Sequence, residues 1–168
     1  SYQPTLSLGN SVTGVVLANF TLKGMKEAGN STDSLPDINS PAILFNGDSK
    51  HNEIKKIIIE GSNGGRIGFE GNGCQHNVVE KCIIKDSRGG YGIGIGDGGK
   101  DIVIEDNEIE RTMIHGIIVW GGGRNCMIRG NSIYESGYYR PDTDQEYFCH
   151  GIAIDGGAGK FRGVGYHI

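Results

Sequence analysis

Proline is scarce, with 4 in 168 residues, and tryptophan occurs once. No apolar stretch reaches the roughly 18 residues that a membrane-spanning helix requires, so no membrane partner is expected. An excess of positive charge is also missing. Lys and Arg number 16 against 20 Asp and Glu, giving a net charge of −4 and a pI near 5.7, which removes nucleic acid from the expected partners. The cysteines Cys74, Cys82, Cys126 and Cys149 form no C-x-x-C pair and no zinc spacing. Reduced thiols are therefore expected, with Cys82 in the core and no bound metal. Apolar spacing near 3.6 residues is nowhere sustained over ten positions, which excludes a helical fold.

Glycine is abundant, with 30 residues. Without a strict three-residue period this is not collagen, and the Val- and Ile-rich segments between the glycines argue against a disordered linker. Short strands joined by tight turns remain. One pattern recurs: Leu17-Ala-Asn-Phe20-Thr-Leu22, Ile54-Lys-Lys-Ile57-Ile-Ile59, Val79-Glu-Lys-Cys82-Ile-Ile84, Ile104-Glu-Asp-Asn107-Glu-Ile109 and Ile128-Arg-Gly-Asn131-Ser-Ile133. Its first positions, 17, 54, 79, 104 and 128, step by 37, 25, 25 and 24 residues. A second pattern keeps register with it: Ala42-Ile-Leu-Phe45, Arg66-Ile-Gly-Phe69, Gly92-Ile-Gly-Ile95, Gly116-Ile-Ile-Val119 and Gly151-Ile-Ala-Ile154. A sandwich does not return the same strand at a constant step, whereas a solenoid must. Residues 1–168 are read as one all-β domain, a parallel β-helix of about five or six coils. Ile43, Ile67, Ile93, Ile117 and Ile152 should stack as one interior ladder with coils about 4.8 Å apart. Phe20, Ile57, Cys82, Asn107 and Asn131 should form another beside a bend, where Asn side chains can bond turn backbone.

With repeats such as Asp101-Ile-Val-Ile-Glu-Asp-Asn-Glu-Ile109 and His115-Gly-Ile-Ile-Val119, the chain resembles the pectate-lyase-like superfamily of right-handed parallel β-helix proteins over about residues 5 to 155. That superfamily includes lyases, glycoside hydrolases, uronate epimerases, tailspikes and adhesins, so the resemblance implies a fold and not one activity. The Asp-Pro-His motif of mannuronan epimerases is absent, as are the Gly-His-Gly and Arg-Ile-Lys pair of polygalacturonase-like hydrolases. The Lys and Arg pair of a calcium-dependent lyase is also missing from the sheet face, because Lys100 and Arg124 fall in turns.

Two insertions interrupt the repeat, at residues 25–41 and 134–149, and both read as surface loops. The sequence opens on Ser1, which fits a mature secreted protein or part of a longer chain, and Gly163 to Ile168 ends as though another coil should follow. Further β-helix coils or a homo-oligomer are the expected continuation.

With the Ile ladder inward, Asn46, Glu70, Gly96, Trp120 and Asp155 form an outward row at the strand ends. An exposed Trp120 beside acids and small residues suits a sugar ring, with Glu70 and Asn46 bonding its hydroxyls; alternatively Trp120 packs under the second insertion. Tyr91, His115 and His150 occupy equivalent strand starts. Tyr and His can remove and return a proton at a sugar carbon, yet strict strand alternation turns the histidines inward unless a bend intervenes. Asp97, Asp155 and Glu70 are candidate acids for glycoside hydrolysis; Asp97 and Asp155 lie roughly 10 Å apart across two coils, or are turn residues before glycine. The second insertion adds Tyr138, Tyr139 and Arg140 as substrate contacts, and Asp142, Asp144 and Glu146 could hold calcium without forming an EF-hand.

The expectation is a secreted or cell-surface enzyme that cleaves a polysaccharide or oligosaccharide along this face, with hydrolysis slightly preferred to elimination. A non-catalytic glycan-binding or fibrous module is the alternative. No cofactor is expected apart from that possible calcium.

Overall fold

The computed structural model describes residues 6–9, 11–23, 41–61, 67–87, 90–137 and 149–154. Every strand among them is short and parallel to its neighbours, and no helix occurs among the described residues. The chain passes in turn through three sheets. The first holds six strands, Leu6–Leu8, Ile43–Asn46, Ile67–Glu70, Ile93–Ile95, Ile117–Val119 and Ile152–Ile154. The second holds five, Val16–Ala18, Glu53–Lys55, Val78–Glu80, Val103–Glu105 and Met127–Arg129. The third also holds five, Thr21–Lys23, Ile58–Glu60, Ile83–Ser87, Glu108–Thr112 and Ser132–Ser136. Each inner strand pairs with the equivalent strand one coil before and one coil after, which makes the chain a β-solenoid.

Register follows the repeat. Leu6, Ile43, Ile67, Ile93, Ile117 and Ile152 lie side by side, and Leu8, Phe45, Phe69, Ile95, Val119 and Ile154 form the next inner row. Ile54, Val79, Ile104 and Ile128 face them from the second sheet and Ile59, Ile84 and Ile109 from the third, all buried in one core. Phe45 and Phe69 stack with centroids 5.2 Å apart. Burying whole Ile and Phe side chains contributes about 1.5–3 kcal/mol each, which is how three-residue strands hold together.

The corner between the second and third sheets carries the expected Asn ladder. Asn107 Oδ1 accepts the Cys82 N–H at 2.9 Å, and Asn131 Oδ1 accepts the Asn107 N–H at 3.0 Å. Their amide groups donate to Val79 O and Ile104 O of the preceding coils. A second ladder stands where the chain enters the second sheet: Asn52 Oδ1 accepts the Val15 N–H and Asn77 Oδ1 the Asn52 N–H, each at 3.0 Å. Sequence reasoning did not identify that one.

The corners use left-handed backbone. His51, His76, Asp101 and Asn125 share one corner with φ between 51° and 54°, and Lys56, Lys81 and Asp106 share another with φ of 53° or 54°. This conformation costs a non-glycine residue about 1–2 kcal/mol. The stacked strands on either side hold it in place.

The second insertion is narrower than expected, because Tyr134, Glu135 and Ser136 belong to a strand of the third sheet. The segment between Gly137 and Cys149 lies outside the described residues, as does the first insertion except for Pro41.

Candidate functional site

The outer face of the first sheet is set by a break in alternation. Ala42 is buried in the core although its neighbour Ile43 also points inward. The same phase holds two coils on: a methyl on Gly92 would meet Ile109 Cγ2 of the third sheet at 2.6 Å and Gly116 O at 2.6 Å, and one on Gly116 would meet Ile133 Cγ2 and, at 2.7 Å, Gly151 O. Two successive residues thus face the core, so the residue before them turns outward. That residue is Tyr91, His115 or His150. Glycine is required at 92 and 116 because no Cβ fits between the coil backbones.

Of the two orientations that the sequence left open for His115 and His150, the break in alternation gives the outward one. Tyr91 and His115 stack with centroids 5.6 Å apart and planes 6° apart, and His115 and His150 follow at 5.5 Å and 3°. Tyr91 and His115 are half-buried and His150 is exposed. The His150 backbone N–H donates to His115 Nδ1 at 3.1 Å. Burial lowers the His115 pKa below the ordinary imidazole value, and the neighbouring His150 adds to the effect.

Trp120 departs from the expected exposed platform, because it is half-buried. Its indole lies over the preceding coil, where a methyl on Gly94 would sit 2.8 Å from Cζ3 and one on Gly96 2.6 Å from Cε2. The ring also meets Tyr91, with centroids 5.8 Å apart and planes tilted by 41°. Trp120 and the Tyr91–His115–His150 ladder consequently form one contiguous aromatic surface. Gly94 and Gly96 form its floor; Gly96 was expected in the outward row, whereas Gly94 was read only as a strand position. Its placement one coil below Trp120 was the available signal.

Asn46 and Glu70 pair in register on adjacent strands, both half-buried, in the same outward row as Gly96 and Trp120. Asp97 lies just beyond that row. It is exposed, has φ +48°, and occupies a turn closed by the Gly99 N–H donating to Gly96 O at 3.2 Å. Asp155, Tyr138, Tyr139 and Arg140 lie outside the described residues, as do Asp142, Asp144 and Glu146. Among the described residues no three metal-ligating side chains converge. His51 and His76 stack at 5.0 Å, but at the corner leading into the second sheet and not on this face.

The site can therefore do two things. Its aromatic surface can pack on the apolar face of a sugar ring, and its phenol and imidazoles can exchange protons with a bound ligand.

No curated protein and no solved structure matches the chain. The family model described as the right-handed β-helix region matches residues 8–133, three quarters of the sequence. With that match and the parallel solenoid, the chain belongs to the right-handed β-helix family.

Proposed function

We propose that this protein binds a polysaccharide along the outer face of its six-stranded sheet and acts on it by proton transfer at the Tyr91–His115–His150 ladder. The observation that carries the reading is the joining of Trp120 to that ladder through Tyr91, with centroids 5.8 Å apart. A sugar packed on the indole meets a phenol and two imidazoles along the solenoid axis, a combination suited to removing a proton at one carbon and protonating a leaving oxygen. Glu70 and Asn46 supply polar contacts further along the same face. A substrate of this kind is met outside the cell or at its surface.

Hydrolysis by Asp97 with Asp155 is the second reading, favoured by the exposure of Asp97 just past the end of its strand. The two chemistries leave different products. A panel of acidic and neutral polysaccharides should be incubated with the protein while new reducing ends and unsaturated uronate absorbance are followed separately. Reducing ends with unsaturation are expected from proton transfer at the ladder, and reducing ends alone would move the assignment to the carboxylates. Binding without either product would leave a glycan-binding module, and neither binding nor product on any polysaccharide would remove the reading.

A further inference from the structure

The hydrogen bond between the His150 backbone and the His115 ring distinguishes the two histidines. A backbone N–H can only donate, so His115 Nδ1, which receives it at 3.1 Å, must present a lone pair. A neutral imidazole has one protonated nitrogen, and with Nδ1 accepting, that proton resides on Nε2. The remaining geometry holds the ring in this state. It is clamped between the parallel rings of Tyr91 and His150, 5.6 and 5.5 Å away, so it cannot flip to put Cδ2 in the place of Nδ1 without breaking both stacks. Partial burial acts in the same direction, disfavouring the imidazolium that would need a proton on Nδ1.

We infer that His115 is a fixed hydrogen-bond donor, a neutral imidazole with its proton on Nε2, that holds an acceptor oxygen of the bound sugar and does not act as the base. The donor role rests on the proposed glycan reading; the protonation state does not. Its Nδ1 lone pair is occupied and its Nε2 carries hydrogen, so no basic lone pair is left for a substrate proton. His150, which is exposed, and the Tyr91 phenol are the ladder members left for proton transfer.

Long-range proton–nitrogen NMR on protein labelled at histidine reads the protonation state directly. At pH 7.5 His115 should show an unprotonated Nδ1 and a protonated Nε2. The reverse pattern, or a protonated imidazolium, would overturn the inference. The ligand role is read by substitution. Glutamine reaches far enough to place an amide N–H near the Nε2 position, whereas asparagine reaches only as far as Nδ1. On a polysaccharide that the native protein binds, His115→Gln should keep affinity within about threefold, while His115→Asn and His115→Ala should weaken it about tenfold, the equivalent of about 1.4 kcal/mol. Unchanged melting temperatures establish that each variant is folded. Equal binding by all variants, or better binding by His115→Asn than by His115→Gln, would overturn the donor role. If no polysaccharide binds the native protein, the glycan reading and the donor role fall together, and the NMR pattern still decides the protonation state.

Discussion

At the scale of single residues the glycines on the first sheet provide room for side chains from the next coil. Gly94 lies in an ordinary strand, so a methyl there strains no backbone and acts only by contact with Trp120. Overpacking of this kind costs about 1–3 kcal/mol. Gly94→Ala should lift the indole into water, shifting the emission of the chain's single tryptophan to longer wavelength and lowering affinity for any bound glycan. Unchanged emission would mean that the ring does not rest on Gly94. His115 makes a separate prediction. Its pKa is lowered in the folded protein, whereas the unfolded imidazole titrates near about 6.5. Above that pH both states are neutral and the residue contributes no pH dependence. As pH falls through it, the unfolded chain takes up a proton that the folded form refuses, so stability is lost until the pH passes below the folded pKa, where the loss levels off. The fall in melting temperature between pH 7.5 and 5 should therefore be smaller in His115→Gln than in the native protein. An equal fall in both would show that the ring titrates alike in the two states.

At the scale of elements the strands are specified by inner ladders and the corners by amides. Asn107 is buried, accepts from the Cys82 N–H and donates to Val79 O. Removing its side chain orphans both backbone groups, at about 1–3 kcal/mol each. Asn107→Ala should thus cost about 2–6 kcal/mol in chemical denaturation, more than Asn131→Ala, whose amide is less buried. Ile93→Ala, between Ile67 and Ile117, should cost a similar 2–5 kcal/mol by leaving a cavity. This level was largely legible in the sequence, because stacking requires the same residue classes to return every 24 or 25 positions. The Asn52 and Asn77 ladder escaped notice because Ile102 and Cys126 replace Asn in the following coils, so no long run of one residue type announced it. The left-handed corners were only partly legible. His51, His76, Asp101, Asp106 and Asn125 are of types enriched in that conformation, but lysine is not, and at Lys56 and Lys81 pairing with the neighbouring coils imposes it. The site was half legible: equivalent strand starts brought Tyr91, His115 and His150 together, but their outward orientation depends on two consecutive inward residues, a break that a two-residue period does not encode.

At the scale of the whole molecule the solenoid is a stack in which each coil touches only its neighbours, so its stability is approximately a sum of coil terms and interface terms. The inner residues report this arrangement. Ile67, Ile93 and Ile117 are completely buried, whereas Leu6, Leu17 and Phe20 in the first described coil and Ile133 and Ile152 in the last are only partly so. Opening should therefore begin at the outer coils and cost more toward the middle. Two thiols suit a direct comparison. Cys82 and Cys126 are both buried, and burial pushes both up to about 11, so their intrinsic reactivity is matched. They differ in position. Cys82 precedes a third-sheet strand paired on both sides, while Cys126 precedes Met127–Arg129, an edge strand of the second sheet among the described residues. With a thiol reagent at pH 8 and no denaturant, Cys126 should be modified faster than Cys82, by about tenfold for each 1.4 kcal/mol by which opening the inner coil is harder. Each site is read separately by peptide mass analysis. Equal rates at both sites would mean that the coils open only together, as one cooperative unit, and the additive description would have to be abandoned.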